Sequence, residues 1–507
     1  MSEAAPENQE RAADRESETM NFHAHYAGIR QPVATCLVGS GGFGRSYLAQ
    51  ARRTRLIEAR IAVDMTAEAA GRAFVAAGYA ASEVALCETA AEARAAWEAG
   101  RCVAAGRLET VIDLPFALLV EATGSPEGAT RHALMAIEAR RHVALVSKEA
   151  DSVVGPGLAR LAQDKGVLVT PVDGDQPSLL IALVTWAEVL GLEIVAAGKS
   201  SEYDFVFDPA SGNVTCNGVT KSLPELSAHW LPGSRSVTAV AAERARILGG
   251  AFPLRAVPDL CEMTLVANAT ELVADRAGFH APPARIPEIA DLFTARAQGG
   301  LLTGTRRVDV FHHLRLAEEA SFAGGVFVVV RCENAETWEM LAGKGHVLSR
   351  DGRTAMLYLP RHLLGVEVAT SILDTAGLGR SGYGDDYRPR QDLVAVAERD
   401  LAAGTVLAMG GHHHSIAGIG AEVRPAAALA EDRPAPFYLV ADRRLLRDVK
   451  AGEAIRLGDI EIAPDSTLLA TRRRQDALFA DDLAGSGLTG QGAHGVNADS
   501  LETMATR

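Results

Sequence analysis

A glycine-rich segment follows a short apolar run near the start of the chain. The apolar run is Val33–Val38, and the next residues read Gly39-Ser40-Gly41-Gly42-Phe43-Gly44. In this G-x-G-x-x-G spacing the first glycine permits a tight turn, the second lets the backbone approach a pyrophosphate, and the third lets a helix pack on the strand. The phosphates then lie at a helix N-terminus, where N–H groups and the dipole favour an anion. The segment predicts a dinucleotide-binding Rossmann domain, against the alternative of a βα turn without a ligand.

An acidic residue stands where the same kind of domain binds the adenosine ribose. Asp64 ends the second strand-like run and lies 20 residues after Gly44. A carboxylate there accepts hydrogen bonds from ribose hydroxyls and repels a 2′-phosphate, which favours NAD. Three arginines close by in sequence keep NADP open: Arg52, Arg53 and Arg55.

Strand-length apolar runs alternate with alanine-rich helical stretches up to about residue 175. Among them, Thr89–Gly106 is predicted to be a helical insertion and Leu158–Lys165 a helix, and farther on Pro436–Val440 is predicted to be a short strand. This βαβ alternation predicts an α/β fold with a doubly wound parallel sheet covered by helices on both faces. A central α+β substrate domain and a small β-rich module are predicted to follow. The predicted ranges are a disordered tail at 1–30, the NAD(P)-binding Rossmann domain at 31–175, the substrate domain at 176–385, the β-rich domain at 386–476 and a flexible tail at 477–507.

Composition restricts the kinds of partner that the chain can have. The net charge is −14, which disfavours nucleic acid, because phosphate binding needs a basic surface. No apolar run approaches the roughly 18 residues of a membrane helix, and the N-terminus has no signal-like apolar region. Six scattered cysteines without CxxC spacing fit a reducing compartment. We therefore expect a cytoplasmic protein that acts on a small molecule and, as the usual oligomeric state, forms a homodimer.

Three further strand ends are predicted to meet at the carboxyl edge of the parallel sheet, where ligands collect. The first carries Thr123 and Gly124, which can pass beside a nicotinamide ribose. The second carries Lys148, whose ammonium can serve the developing alkoxide in a hydride transfer. The third carries Asp173 and Asp175, which can bind substrate or simply cap the helix that begins near Pro177. For Lys148 the alternative is a solvated strand-end lysine.

Other polar residues are weaker candidates. Lys199 ends a strand and can face either the cleft or solvent. Asp259 and Glu262 are three residues apart, which is as typical of a surface pair as of catalysis. The carboxylates that could hold a divalent cation are Asp175, Glu202, Asp204 and Glu262. The runs His312-His313 and His412-His413-His414 do not predict a metal site, since adjacent histidines point to different sides.

These residues together resemble the homoserine-dehydrogenase-like superfamily. The resemblance rests on the Gly39–Gly44 loop, on Ala122-Thr-Gly-Ser-Pro126, and on Ser147-Lys148, where that superfamily has its nicotinamide-side lysine. The stretches 393–407 and 449–455 resemble parts of a SAF (antifreeze-like) domain. The combination is similar to the deoxyxylulose-phosphate-reductoisomerase-like (DRL) proteins. That resemblance implies NADPH-dependent reductoisomerisation of a ketose phosphate with Mg²⁺ or Mn²⁺, in isoprenoid precursor synthesis.

Three functions follow from the residues and the resemblance. The first is an NAD(P)H-dependent oxidoreductase for a small hydroxy or keto compound, with reductoisomerisation of 1-deoxy-D-xylulose 5-phosphate to 2-C-methyl-D-erythritol 4-phosphate as its specific form. The second is a homoserine dehydrogenase or another polyol or sugar-acid dehydrogenase. The third is a sensor that binds the cofactor without catalysis. In both enzymatic functions Lys148, Asp173, Asp175 and Lys199 are the candidate catalytic residues, and Gly39–Gly44, Asp64, Thr123 and Gly124 bind the cofactor.

Overall fold

The computed structural model describes residues 25–254, 257–410 and 414–486 of the chain. Its first sheet has seven parallel strands in the order β3-β4-β2-β1-β5-β6-β7. The strands are β1 Val33–Val38, β2 Ile57–Val63, β3 Val84–Cys87, β4 Cys102–Ala105, β5 Leu118–Glu121, β6 His142–Leu145 and β7 Val169–Thr170. The direction of winding reverses between β1 and β5, which is where a doubly wound sheet opens a ligand crevice. The predicted Rossmann fold is confirmed.

Six helices connect or flank this sheet. They are α1 Gly42–Ala51, α2 Ala67–Ala76, α3 Ala90–Glu98, α4 Pro126–Glu138, α5 Lys148–Asp164 and α6 Gln176–Val189. Side-chain oxygens cap several of their first turns, as Thr66 does for α2 and Ser125 for α4. Such caps satisfy N–H groups that the helix itself leaves unpaired.

A ten-stranded mixed sheet forms the centre of the region predicted to be the substrate domain. Its strand order is β11-β10-β9-β14-β8-β15-β17-β16, with β12 and β13 paired to β14. The strands are β8 Ile194–Ser200, β9 Phe205–Asp208, β10 Asn213–Cys216, β11 Val219–Ser222, β12 Val273–Ala274, β13 Pro283–Ala284, β14 Arg307–Arg315, β15 Val326–Arg331, β16 Val347–Leu348 and β17 Thr354–Leu359. The helices of this region are α7 Val237–Gly249, α8 Val257–Thr270, α9 Ile289–Leu292, α10 Ala335–Gly343 and α11 Val368–Ile372.

The C-terminal module is β-rich, as predicted. It contains a four-stranded antiparallel sheet of order β18-β21-β20-β19 and a two-stranded ribbon. The strands are β18 Gln391–Ala397, β19 Met409–Gly410, β20 Ser415–Ile416, β21 Ile419–Pro425, β22 Arg444–Leu445 and β23 Ile460–Glu461. Two helices follow, α12 Thr467–Leu478 and α13 Ala480–Ser486. The module packs on α5 and α8, so one apolar core includes residues of all three regions.

Three local predictions differ from the structure. The segment Thr89–Gly106, expected to be wholly helical, contains α3 and then β4, because a short buried apolar run has no periodicity that separates strand from helix. The helix expected from Leu158 begins already at Lys148 and passes through Pro156. The expected strand Pro436–Val440 is a 3₁₀ turn at Phe437–Leu439.

The predicted tails lie partly outside the described residues. Residues 1–24 and 487–507 are not described. Within the described parts of these ranges, Tyr26 is buried, and the start of the predicted C-terminal tail is helical in α12 and α13. In the part of the chain that is described, no helix is both long and apolar enough to span a bilayer.

Candidate active site

The glycine-rich loop joins β1 to α1 at the carboxyl edge of the parallel sheet. Gly39 has φ +93°, and a Cβ there would lie 2.5 Å from the carbonyl oxygen of Ala122. A Cβ on Gly44 would overlap the carbonyl oxygen of Gly39, so this glycine permits the close packing of helix and loop. A Cβ on Gly41 would meet no atom within 4 Å, so the space before α1 is open. The three glycines therefore have the geometry that a pyrophosphate at this helix N-terminus requires.

Asp64 lies at the far side of the same loop. Its carboxylate accepts hydrogen bonds from the Ser40 N–H at 2.9 Å, from the Met65 N–H at 2.7 Å and from the Ser40 hydroxyl. Burial alone raises the pKa of Asp64, but these hydrogen bonds outweigh it and hold the pKa below its ordinary value. A charged carboxylate thus borders a cleft of about 480 Å³ that extends past Gly41 and Thr123, with Arg107 and Arg131 in its wall.

Five charged side chains meet where the parallel sheet and the substrate domain join. They form the lysine–carboxylate cluster, defined as Lys148, Asp175, Lys199, Asp259 and Glu262. Lys148 begins α5, Asp175 is the N-cap of α6, Lys199 is in β8, and the other two are on α8. The first two residues come from strand ends of the Rossmann region and the others from the substrate domain, so the cluster exists only in the folded whole.

Glu262 is the centre of this cluster. One of its oxygens accepts from the Lys148 ammonium and the other from the Lys199 ammonium. Asp175 Oδ1 lies 3.6 Å from Lys148 Nζ, and Asp259 Oδ1 lies 2.9 Å from Lys199 Nζ. Ser201 donates to the other oxygen of Asp259 at 2.7 Å. The carboxylates number one more than the ammonium groups, so the cluster has a net charge of −1 when all five are ionised.

The pKa shifts follow from burial and from this pairing. Burial raises the pKa of Glu262, but the two ammonium groups outweigh it and lower the pKa to about 2. Burial lowers the pKa of Lys148, but the carboxylates of Asp175 and Glu262 outweigh it and hold the pKa well above its ordinary value. Asp175 has a raised pKa, chiefly because it is buried. Lys148 is therefore an ammonium at neutral pH.

Lys148 and Lys199 differ in how far their side chains are exposed to solvent. The Lys148 side chain is 23% exposed and that of Asp175 16%, whereas Lys199 is wholly buried. Lys148 can therefore contact a substrate, and Lys199 can act on it only through Glu262 and Asp259. Both lysines are sequence-predicted candidates, and the structure brings both of them together with Asp175 and Glu262.

The strand ends that carry Thr123 and Lys148 are joined by a hydrogen bond. The N–H of Gly124 donates to the Ser147 hydroxyl at 2.8 Å, and Thr123 donates to the buried carboxylate of Glu121 at 2.6 Å. Thr123 lines the cleft, and Ser147 directly precedes Lys148 in the chain. This hydrogen bond therefore connects the β5 side of the cleft to the start of α5, whereas Asp64 lies on the β2 side.

The other predicted acidic residues have different surroundings. Asp173 accepts hydrogen bonds from the hydroxyls of Ser178 at 2.7 Å and Thr370 at 2.6 Å, which connects α6 to α11. Asp204 lies 3.0 Å from His313 Nδ1 and accepts from Arg315 at 2.6 Å. Glu202 lies half-buried between β8 and β9. None of these three is one of the partners that define the lysine–carboxylate cluster in the described part of the chain.

The carboxylates as they stand do not fit a divalent cation. Both oxygens of Glu262 face ammonium groups, which occupy the space where a cation would bind. Within residues 25–254, 257–410 and 414–486, no three His, Cys, Asp or Glu side chains form a group that could hold a metal ion. His412 and His413 lie outside these ranges.

Sequence reasoning did not identify Glu149 or His414 as site residues. His414 Nδ1 lies 2.6 Å from Glu149 Oε1, although 265 residues separate them in the chain. The histidine run was visible in the sequence, but only as a possible metal motif. No local signal indicates that one of its members reaches α5.

Solved structures of dehydrogenases resemble the chain at low identity. They include the WlbA dehydrogenase from Bordetella pertussis in complex with NADH and UDP-GlcNAcA, at 19% identity and TM-score 0.25, covering 34% of this chain and 48% of that one. The 1-deoxy-D-xylulose 5-phosphate reductoisomerase from Zymomonas mobilis in complex with NADPH matches at 17% and 0.25, covering 34% and 46%. A homoserine dehydrogenase from Thiobacillus denitrificans matches at 13% and 0.36, covering 74% and 83%. The chain spans about half the length of the first two proteins.

A search of curated proteins finds no match. A family model does match: residues 258–368 fit the model described as oxidoreductase DRL, catalytic domain. This segment contains Asp259 and Glu262, so it supplies two of the three carboxylates of the lysine–carboxylate cluster. Residues 258–368 are thus similar to the catalytic domain of the DRL oxidoreductases.

Proposed function

We propose that the chain transfers a hydride between a nicotinamide dinucleotide and the carbonyl carbon of a small polar compound. The observation that carries this proposal is the position of Lys148, a partly exposed ammonium that directly follows Ser147, whose hydroxyl is bonded to Gly124 beside the cleft residues Thr123 and Ser125. A bound reduced nicotinamide supplies the hydride. Lys148 then stabilises the negative charge that develops on the carbonyl oxygen and gives it a proton.

The surrounding residues give Lys148 its orientation and charge. Glu262 holds the ammonium from one side, and Lys199 fixes Glu262 from the other. Asp175 is exposed enough to accept a hydrogen bond from a substrate hydroxyl. Because the pKa of Lys148 is raised, the ammonium form predominates at neutral pH and favours carbonyl reduction over alcohol oxidation. We propose NAD as the preferred cofactor, since the charged Asp64 repels a 2′-phosphate.

Reductoisomerisation of a ketose phosphate is a second candidate. The match of residues 258–368 to the DRL catalytic domain favours it. A divalent cation on Glu262 would require the lysine ammonium groups to move away, so the geometry supports simple reduction better. The two candidates differ in their product, because rearrangement changes the carbon skeleton and reduction alone does not.

The first experiment measures cofactor binding and then turnover. NADH and NADPH are titrated against the full chain by fluorescence, and the consumption of each is followed with 1-deoxy-D-xylulose 5-phosphate, with and without Mn²⁺. Homoserine is tested with NAD⁺ and NADP⁺. Mass spectrometry and NMR of the product distinguish reduction from rearrangement. Binding without turnover on any carbonyl or hydroxyl compound would favour a cofactor-binding sensor.

A lysine pair then tests the role of Lys148. Lys148→Ala is expected to lose about 100-fold or more in turnover, the usual effect of removing a positioned proton donor, while cofactor affinity stays within about twofold. Lys165→Ala is the matched control, because Lys165 ends the same helix on the surface, where it pairs with Glu138. Equal turnover in the two variants would contradict the assignment.

A further inference from the structure

The C-terminal module places a histidine at the carboxyl edge of the parallel sheet. His414 directly precedes β20 and has φ +47°, a left-handed conformation that is uncommon for residues other than glycine. Its Nδ1 lies 2.6 Å from Glu149, whose side chain is only 6% exposed. The histidine is thus held by a nearly buried carboxylate that directly follows Lys148 in α5.

The His414 imidazole can lie against residue 124 because that residue is a glycine without a Cβ. This glycine has φ +67°, and a Cβ on it would overlap the His414 ring. Its N–H is bonded to Ser147, and its neighbours Thr123 and Ser125 line the dinucleotide cleft. The ring therefore lies against Gly124, which is bonded to the residue before Lys148, and on the β5 side of the cleft, away from the β2 side that carries Asp64.

We propose that His414 binds the nicotinamide–ribose half of the dinucleotide, which makes the C-terminal module part of the cofactor site. The inference rests on the proposed function, because it takes the Lys148 end of the cleft as the nicotinamide end. Glu149 holds Nδ1, so Nε2 is the nitrogen that would bond a ribose hydroxyl or the carboxamide.

The charge of the histidine also bears on the redox state of the ligand. The hydrogen bond to Glu149 raises the pKa of His414, against burial and the nearby Lys148 ammonium, which lower it. A more cationic imidazole beside the ring favours the neutral reduced nicotinamide over the cationic oxidised one. His414 therefore supports binding of the form that donates hydride.

NADH and ADP share the adenosine and the diphosphate. Comparing their affinities therefore distinguishes a contact to the nicotinamide half from an effect on dinucleotide binding in general. NADH also carries the nicotinamide and its ribose, and ADP carries neither. His414→Ala is expected to weaken NADH binding about tenfold, which corresponds to one charge-assisted hydrogen bond, and to leave the affinity for ADP within about twofold. Lys450→Ala is the control in the same module, because this exposed lysine pairs only with Asp400 among the described contacts. It should change neither affinity.

A conservative variant tests for a merely structural effect. His414→Gln retains a donor and an acceptor, so it should keep NADH affinity within about threefold of the parent, and circular dichroism and Tm should match in all variants. Equal weakening of NADH and ADP would show that His414 only holds the module in place, and unchanged NADH affinity would show no contact. Either result overturns the inference while the proposed function stands. If the parent chain binds neither NADH nor NADPH, both fail.

Discussion

Lys199 shows how a single residue acquires a role that its sequence neighbourhood does not reveal. Its ammonium is wholly buried between Asp259 and Glu262. Removing one partner from such a pair leaves an uncompensated buried charge, which costs about 3–5 kcal/mol. The lysine was predicted as a candidate from its place at a strand end, but its partners could not be, since 60 or more residues separate them from it.

Asp151 is a second buried charge whose behaviour depends on pH. It lies on α5, three residues after Lys148, and accepts hydrogen bonds from Tyr383 and, at 2.7 Å, from Tyr387. Burial raises its pKa to about 7, although the two tyrosine hydroxyls lower it in part. The rings of Tyr383 and Tyr387 stack on each other with their centroids 4.0 Å apart.

The contribution of Asp151 to the stability of the protein should therefore fall as pH rises. The folded pKa of Asp151, about 7, lies above the ordinary value of 3.8, so the folded state binds the proton more tightly than the unfolded state. The penalty is absent below about pH 4 and complete above about pH 7. We expect Asp151→Asn to remove this dependence, giving a Tm that exceeds that of the parent by more at pH 8 than at pH 5. Parallel Tm curves across this range would contradict the expectation.

At the scale of elements, the sequence predicted the strands and helices that short-range patterns determine. The β1–loop–α1 unit, the strand ends and α6 agree with the structure within a few residues, because a glycine spacing and an apolar run act over short distances. The prediction that Lys148 ends a strand was wrong in detail, since β6 ends at Leu145 and Lys148 opens α5. The helix N-terminus still lies at the predicted edge of the sheet, so the functional prediction did not depend on that boundary.

The glycine-rich loop provides a prediction at this scale. Gly39→Ala should lose about tenfold or more in NADH affinity and also lower Tm, because a Cβ would lie 2.5 Å from the Ala122 carbonyl oxygen in addition to the strain of φ +93°.

Gly100→Ala is the matched control for the backbone strain alone. This glycine has φ +74°, but its Cβ would meet nothing within 4 Å. It should lower the stability by about 1 kcal/mol and leave NADH affinity unchanged. If both variants bind NADH like the parent, the loop does not hold the pyrophosphate.

At the scale of the whole molecule, the C-terminal module is fastened to the Rossmann region by a carboxylate. Glu127 on α4 accepts hydrogen bonds from the Ser466 hydroxyl at 2.9 Å and from the Leu468 N–H at 3.1 Å, both at the start of α12. It also accepts from Arg443 at 3.1 Å. Sequence alone could not predict this contact, because it joins residues more than 300 positions apart.

Loss of this carboxylate should loosen the module. Glu127→Gln keeps the size of the side chain but removes its charge. We therefore expect faster amide hydrogen exchange in α12, a lower Tm, and a free energy of unfolding reduced by about 1–2 kcal/mol, the usual effect of losing a charge-assisted cap. Glu138→Gln, at the exposed end of the same helix, is the control and should exchange like the parent. Unchanged exchange in α12 would show that apolar packing alone holds the module.

The sharing of charges across the lysine–carboxylate cluster has a consequence for building chimeras. If this parallel sheet were joined to a foreign substrate domain, Lys148 would lose its partner Glu262. The substrate domain left behind would keep Lys199 with two carboxylates, one more than it can neutralise. The sheet half would keep only Asp175, 3.6 Å from the Lys148 ammonium, and the substrate half would keep a net charge of −1 in its share of the cluster. Recombination that respects this chain must therefore carry α8 and β8 together with the opening of α5, or supply equivalent counter-ions.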